Sequence, residues 1–116
     1  MFALNFQSRH HEDLLITRTK NCTVRLGDVR ETYPESSIVW VTFGKRFTPR
    51  KKLYQAIIDK VLIKKFSQLS SEDLIHQNPG IKSAEELRVF FEQLYARSIT
   101  MDDHVSVIYF SEIIGE

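Results

Sequence analysis

The long β-forming run Leu53–Phe66 limits the fold more than any other stretch of this chain. Ala56, Ile58, Val61, Ile63 and Phe66 are its core candidates, and their parity changes after Asp59. Side chains alternate between the two faces of a strand, so a parity change inside one strand marks an inserted residue, a β-bulge. A second run, Ile38–Phe43, is near-continuous in β-forming apolar residues, with Trp40 expected in the core. Gly44–Lys52 joins the two as a basic turn, with Phe47 and Pro49 among five cations. It reads either as a solvated hairpin tip or as a phosphate-contacting loop in which Phe47 stacks on a base.

The charge pattern sharpens that choice. The net charge is only +1, yet residues 44–65 carry eight basic side chains against Asp59 alone. These are Lys45, Arg46, Arg50, Lys51, Lys52, Lys60, Lys64 and Lys65. Residues 66–116 are acidic, with nine carboxylates against three basic residues. A positive side is the electrostatic footprint of a polyanion binder, whatever the total charge.

Upstream, Thr19–Arg25 places polar residues in what reads as a strand. Alternation sends Cys22, Val24 and Leu26 to one face and Asn21, Thr23 and Arg25 to the other. If the polar face lines a cleft, Lys20, Thr23 and Arg25 bring together a cation, a hydroxyl and a rigid fork of donors. That trio suits an anionic or carbonyl-bearing ligand. A solvated strand with two ordinary basic residues is the alternative, and both stand open at this level.

The remaining chain supplies helices around these strands. Ala3–Phe6 is a short first strand, and Ser8 is placed to cap a helix over Arg9–Ile16. His10 and His11 are adjacent, which is the wrong spacing for a shared metal, so both are expected on the surface. Leu26–Ser37 is a loop. Ser70–Asp73 caps a short helix ending near Gln77, and Pro79-Gly80 stops it. Ser83-Ala84-Glu85-Glu86 matches a capping box, and Leu87, Phe90, Phe91, Leu94 and Tyr95 then recur at helical spacing as a core stripe. Val105–Phe110 reads as a buried closing strand.

The 116 residues make one domain, 1–116, long enough to bury a core without staples. The order β-α-β-β-β-α-α-β suits an α+β fold, a small curved sheet or open barrel flanked by helices. No apolar run approaches the roughly 18 residues of a membrane span. The lone Cys22 and the absence of a leader pattern fit a reducing, cytoplasmic setting. No dinucleotide loop, metal-ligand pair or Ser-His-Asp order is apparent, so neither a metal nor a cofactor is expected. The sequence carries no signal for an oligomeric state.

Lys20-Asn21-Cys22-Thr23-Val24-Arg25 resembles the Lys-x-x-Thr-x-Arg signature of the ASCH-domain family. Other landmarks follow in the family's order: Ile38–Val41, then Ala56–Phe66 with Leu69–Leu74, then Ser83–Tyr95, then Val107–Phe110. The resemblance implies a PUA-like (ASCH) small mixed β-barrel flanked by helices, with a cleft for RNA or a modified nucleoside. The small bacterial relatives are amidohydrolases that remove the acetyl group of N(4)-acetylcytidine with a Lys, a Thr and a Glu. Lys20 and Thr23 match the first two. The Glu belongs near Gln77–Gly80, where this chain offers Gln77, Asn78 and Pro79. Arg18 stands where the family has Gly before the Lys, and Ser36-Ser37 replaces its Gly-Asp turn.

Two functions follow as expectations. In the first, the cleft with Lys20, Thr23 and Arg25 binds a base, and Lys45, Arg46, Arg50, Lys51 and Lys52 grip phosphates. In the second, a neutral Lys20 amine takes the Thr23 proton and Thr23 attacks the acetyl carbonyl.

Overall fold

Asp59 is the residue around which the largest strand changes step. The computed structural model describes residues 2–7, 9–45, 48–77 and 80–114. In it β4, Lys51–Lys65, pairs antiparallel with β3, Ile38–Phe43, on one side and with β5, His104–Glu112, on the other. Its register with β5 slips between Ile58 and Lys60, leaving Asp59 as the bulge. Tyr54, Ala56 and Ile58 before the slip and Val61 after it therefore pack in one core cluster, with Ile63 against it. Without the extra residue, Val61 and Ile63 would face away from that core.

β1, Ala3–Phe6, adds parallel to β3, and β2, Cys22–Leu26, adds antiparallel to β5. The sheet order is thus β1-β3-β4-β5-β2, with β1 and β2 at its two edges. β5 is buried on both faces: Ile108 and Phe110 enter one apolar cluster, Val105 and Val107 the other. Its unbroken apolar run follows from that position between two cores.

The first cluster lies on the concave face, with Leu4, Leu15, Val39, Val41, Ile58 and Phe110. The second, on the opposite face, takes in Leu74, Leu87 and Phe91 from the two later helices. Phe66, fully buried at the start of a short 3-10 turn (Phe66–Gln68), meets the Phe91 ring edge-on at 5.7 Å. Truncating such a ring costs about 3–5 kcal/mol. α1 is Arg9–Ile16, α2 is Ser71–Gln77 and α3 is Ala84–Tyr95. The Ser83 hydroxyl caps α3 by accepting from the Glu86 N–H at 3.1 Å, while the Glu86 carboxylate accepts from the Lys82 N–H rather than from the cap residue itself. Ser8, expected to cap α1, lies outside the described residues.

Trp40 differs from its expected place. It is half-buried on the outer face, and the Lys52 ammonium lies 4.8 Å from the centre of its ring. Its neighbours Val39 and Val41 take the inward positions, so the alternation of β3 leaves the indole outside.

α2 is fixed to the sheet by a buried polar cluster. The Lys64 ammonium lies 2.7 Å from an Asp73 carboxylate oxygen, and the Tyr109 hydroxyl donates to the other oxygen. The Ser70 N–H also donates to Asp73, and the Ser70 hydroxyl accepts from the Asp73 N–H. Burial acts to raise the Asp73 pKa, but the bonds from Lys64, Tyr109 and Ser70 outweigh it and hold the carboxyl down at about 2.

Candidate functional site

The two edge strands of the sheet curl toward one another, and a cleft of about 450 Å³ opens between them. Asn5, Phe6 and Gln7 form its β1 side, Thr23, Val24 and Arg25 its β2 side. The Arg25 Nη2 donates to the Asn5 carbonyl at 2.9 Å, and its guanidinium lies 5.3 Å from the centre of the Phe6 ring. A side chain thus joins edges that no ladder pairs, making a half-barrel. Gln77 closes one end of the cleft, and His11 and α3 complete the wall.

α3 holds a surprise in its apolar stripe. Leu87 and Phe91 are buried as expected, but Phe90, Leu94 and Tyr95 are exposed at 43%, 60% and 46%. Those three line the cleft. The stripe is wider than the core it covers, and its overhang becomes the aromatic rim. Helical periodicity places residues on one face but does not say where the packed partner ends. His11 is likewise not an open-surface residue: it is half-buried, edge-on to Phe6 at 6.3 Å, and lines the same cleft.

Two of the three converging groups, Thr23 and Arg25, share the cleft as the strand alternation requires. The Thr23 side chain is 4% exposed, and its hydroxyl makes no hydrogen bond among the described residues. Lys20 does not open into it. At 1% exposed, its ammonium nitrogen turns inward and donates to the Cys22 carbonyl at 2.8 Å and the Gln77 carbonyl at 2.5 Å. It lies 5.3 Å from the centre of the Phe6 ring. Lys20 therefore sits behind the cleft wall, and its stem lines a separate depression of about 220 Å³ with Arg18, Tyr54 and Glu112.

Burial, with a smaller push from Arg25, lowers the Lys20 pKa to about 7 against an opposing influence of Cys22. A neutral amine keeps two N–H donors, enough for both carbonyls, and leaves its lone pair uncommitted. Burial also pushes the Cys22 thiol up to about 12, which removes it as a nucleophile near neutrality. Among the described residues no His, Cys, Asp or Glu cluster is arranged to hold a metal.

The basic segment is spread over more than one surface. Lys51 reaches Glu12 of α1 at 3.6 Å, whereas Lys52, next in the strand, points to the other face and onto Trp40. Lys60 sits over the Tyr109 ring at 4.6 Å, and Lys64 is turned to Asp73. Lys45 and Arg50 are exposed at the hairpin tip, and Arg46 and Phe47 lie outside the described residues. The tip abuts the cleft. The Gly44 N–H donates to the Phe6 carbonyl, and the Asn5 side-chain amide donates to the Gly44 carbonyl, both at 3.1 Å. Gly44 fits closely there: a Cβ would lie 3.0 Å from the Arg50 Cα and 3.1 Å from the Pro49 carbonyl, so the neighbouring backbone would have to give way.

No protein-family model matches the sequence, and no curated protein matches it. Solved structures do. An ASCH domain from Lactobacillus crispatus superposes with a TM-score of 0.69 at 17% identity, over 95% of this chain and 77% of the other. The fold is ASCH-like. A DUF984 protein from Enterococcus faecalis gives 0.67 at 16% identity, over 87% and 68% of the two chains. The hypothetical protein PH0355 gives 0.66 at 19%, over 97% and 100%.

Within this ASCH-like frame the two places where a glycine was expected have a distinctive backbone. Arg18 and Ser36 both adopt left-handed backbone, φ 63° and 67°, the conformation glycine takes most easily. Here an arginine and a serine hold it. At Arg18 the strain is offset by its side chain, which pairs with both Glu112 carboxylate oxygens at 2.9 and 2.8 Å. It also stacks 4.1 Å from the centre of the Tyr54 ring and donates to the Leu15 and Ile16 carbonyls. At the place of the expected carboxylate, Gln77 is buried in the cleft as a neutral amide. Asn78 and Pro79 lie outside the described residues.

Proposed function

We propose that the ASCH-like cleft binds a base of RNA or of a modified nucleoside, with the hairpin tip contacting the adjoining phosphates. The observation that carries this reading is the cleft's composition beside the tip. Phe6, Phe90, Phe91 and Tyr95 offer rings, Thr23, Arg25 and Gln77 offer polar groups, and Gly44 is hydrogen-bonded to its wall. Bases stack on aromatic side chains and are read at their edges by such polar groups. Lys45, Arg46, Arg50, Lys51 and Lys52 are the proposed phosphate contacts. Lys20 takes part as a buried group behind the wall, out of reach of a phosphate. The test is RNA affinity as a function of salt. Affinity falling with salt, and weakened by Lys51→Ala and Lys52→Ala equally across sequences, supports the reading. Salt-independent binding, or none to any RNA, overturns it.

A second reading rests on Lys20. An amine with a pKa near 7, three residues before a threonine in the chain and bonded to the Cys22 carbonyl at the start of the threonine's strand, is what an amidohydrolase acting on N(4)-acetylcytidine would need. Lys20 would accept the Thr23 proton as Thr23 attacks the acetyl carbonyl. The C–N bond would break with that proton passing to the departing cytidine amine, and water would then release acetate from the acetylated Thr23. With Gln77 as a neutral amide, the orienting carboxylate is replaced by a group that cannot exchange a proton near neutral pH. Release of cytidine from N(4)-acetylcytidine, lost in Thr23→Val, supports hydrolysis. No release by the unaltered protein ends it.

A further inference from the structure

The outer face of the sheet over β3 and the first half of β4 is apolar. Strand pairing sets Trp40 beside Gln55 and Ile38 beside Ile57. On the β5 side Ile57 is level with Ser111, and the Ile113 N–H donates to the Gln55 carbonyl. These residues alternate with the inward Val39, Val41, Ala56 and Ile58, so they share the opposite face. Ile38, Trp40, Ile57 and Ile113 belong to neither core cluster. Ile38 is 46% exposed and Ile113 38%, and Trp40 and Ile57 are half-buried. The later helices sit elsewhere: α2 packs chiefly on β2, and α3 on the 3-10 turn. An antiparallel sheet with one solvated face ordinarily turns polar residues outward, and contiguous apolar surface marks a place of interaction.

The charges at its two ends say what covers it. A register slip beside Val41 and Thr42 turns Lys52 onto this face, where its ammonium lies over the Trp40 ring. The second slip bulges out Asp59, whose carboxylate accepts from the Ser111 hydroxyl on the same face. The apolar strip thus ends in a cation and an anion, about 20 Å apart along β4. Lys60, the neighbouring cation, lies over the Tyr109 ring beside the helix-covered part of the face. Such a surface is its own complement. Two-fold rotation sets Lys52 of each copy against Asp59 of the other, and Trp40 of each against Ile38 and Ile57 of the other. A partner of a single charge sign would suit one end and oppose the other.

We propose that this face packs against a second copy of the chain, as an isologous two-fold dimer with Lys52 and Asp59 paired at its rim. Twisted sheets stack in this way about 10 Å apart, with their strands offset by about 30°. An isologous contact closes on itself, so association stops at two. The dimer does not depend on the base-binding reading, and at the rim Lys52 stays in solvent beside the hairpin tip.

Sedimentation equilibrium up to about 1 mM measures the association. The emission of Trp40, the one tryptophan of the chain, reports burial of this face. The parent should dimerise, with the emission moving to the blue as the dimer forms. Lys52→Asp leaves carboxylates at both ends of the strip, and Asp59→Lys leaves ammoniums at both. Each variant alone should associate at least about tenfold more weakly. Mixed in equal amounts they should pair again, because every lysine then meets an aspartate of the other copy. Ile38→Lys, at an exposed position, should abolish the dimer with the melting temperature nearly unchanged. A parent that stays monomeric, association that continues past two, or a dimer indifferent to Ile38→Lys overturns the proposal. So does a mixture that pairs no better than its components, or Trp40 emission that answers to single-stranded RNA and not to protein concentration.

Discussion

Arg25 on one edge strand and Asn5 on the other are joined by a guanidinium-to-carbonyl hydrogen bond of 2.9 Å. The sheet order puts β1 and β2 as far apart as a five-stranded sheet allows, so this contact records its curl. It also places the guanidinium over Phe6 and shapes the cleft wall. Arg25→Lys should lower stability by about 1–3 kcal/mol, because a lysine does not reproduce the planar fork. Urea denaturation reads the change. A variant as stable as the parent would mean that the edges are held together by packing alone.

Lys20 gives the domain a pH signature. Its folded pKa, about 7, lies below its ordinary value of 10.5. Between those values the unfolded chain holds a proton that the folded chain lacks, so stability rises with pH across that window. It falls again as pH drops toward 7, because protonation there favours the unfolded chain. The slope is at most about 1.4 kcal/mol per pH unit. Denaturation of the parent and of Lys20→Met at pH 7.5 and 9.5 isolates it. The difference between the two proteins should change with pH, and parallel behaviour would mean that Lys20 is not buried as an amine.

Asp73 has the opposite signature. Its carboxyl is held down at about 2, so its stabilising charge is fully present above the ordinary carboxylate value of 3.8 and is lost as pH falls from there toward 2. Asp73→Asn removes the charge facing Lys64 and alters the acceptors of Tyr109 and Ser70. The expected loss at neutral pH is about 1–3 kcal/mol, with a weaker acid dependence than the parent. Since α2 carries Gln77, a loosened α2 should also weaken ligand binding.

Phe90 and Tyr95 are exposed at the cleft rim, so replacing them costs the fold little. If they stack on bases, Phe90→Ala or Tyr95→Ala should weaken RNA binding by about 1–3 kcal/mol with the melting temperature nearly unchanged. A loss of stability as large as the loss of binding would assign the rings to the core instead.

Much of this architecture can be read from local patterns. The alternation of Asn21–Leu26 puts Thr23 and Arg25 on the cleft side, and the parity change at Asp59 marks the bulge that keeps Val61 inside. What local patterns do not carry is the approach of distant segments. Nothing near Arg25 announces Asn5, and nothing near Lys20 announces the Gln77 carbonyl that turns its amine inward. The α3 stripe shows the same limit, since the period fixes the face and the neighbouring elements decide how much is covered. Gln77 became a cleft residue through the docking of α2, a tertiary event held by Asp73 and by a His76–Asn21 contact.

β2 pairs with β5, and β5 lies between it and the rest of the sheet. Thr23 and Arg25 therefore have no sheet to join until His104–Glu112 has inserted beside β4. A chain in which that strand is unpaired has no edge opposite Asn5 and so no cleft. The cleft thus hangs on the pairing that spans the longest stretch of chain in the sheet, the kind of contact that folding forms most slowly.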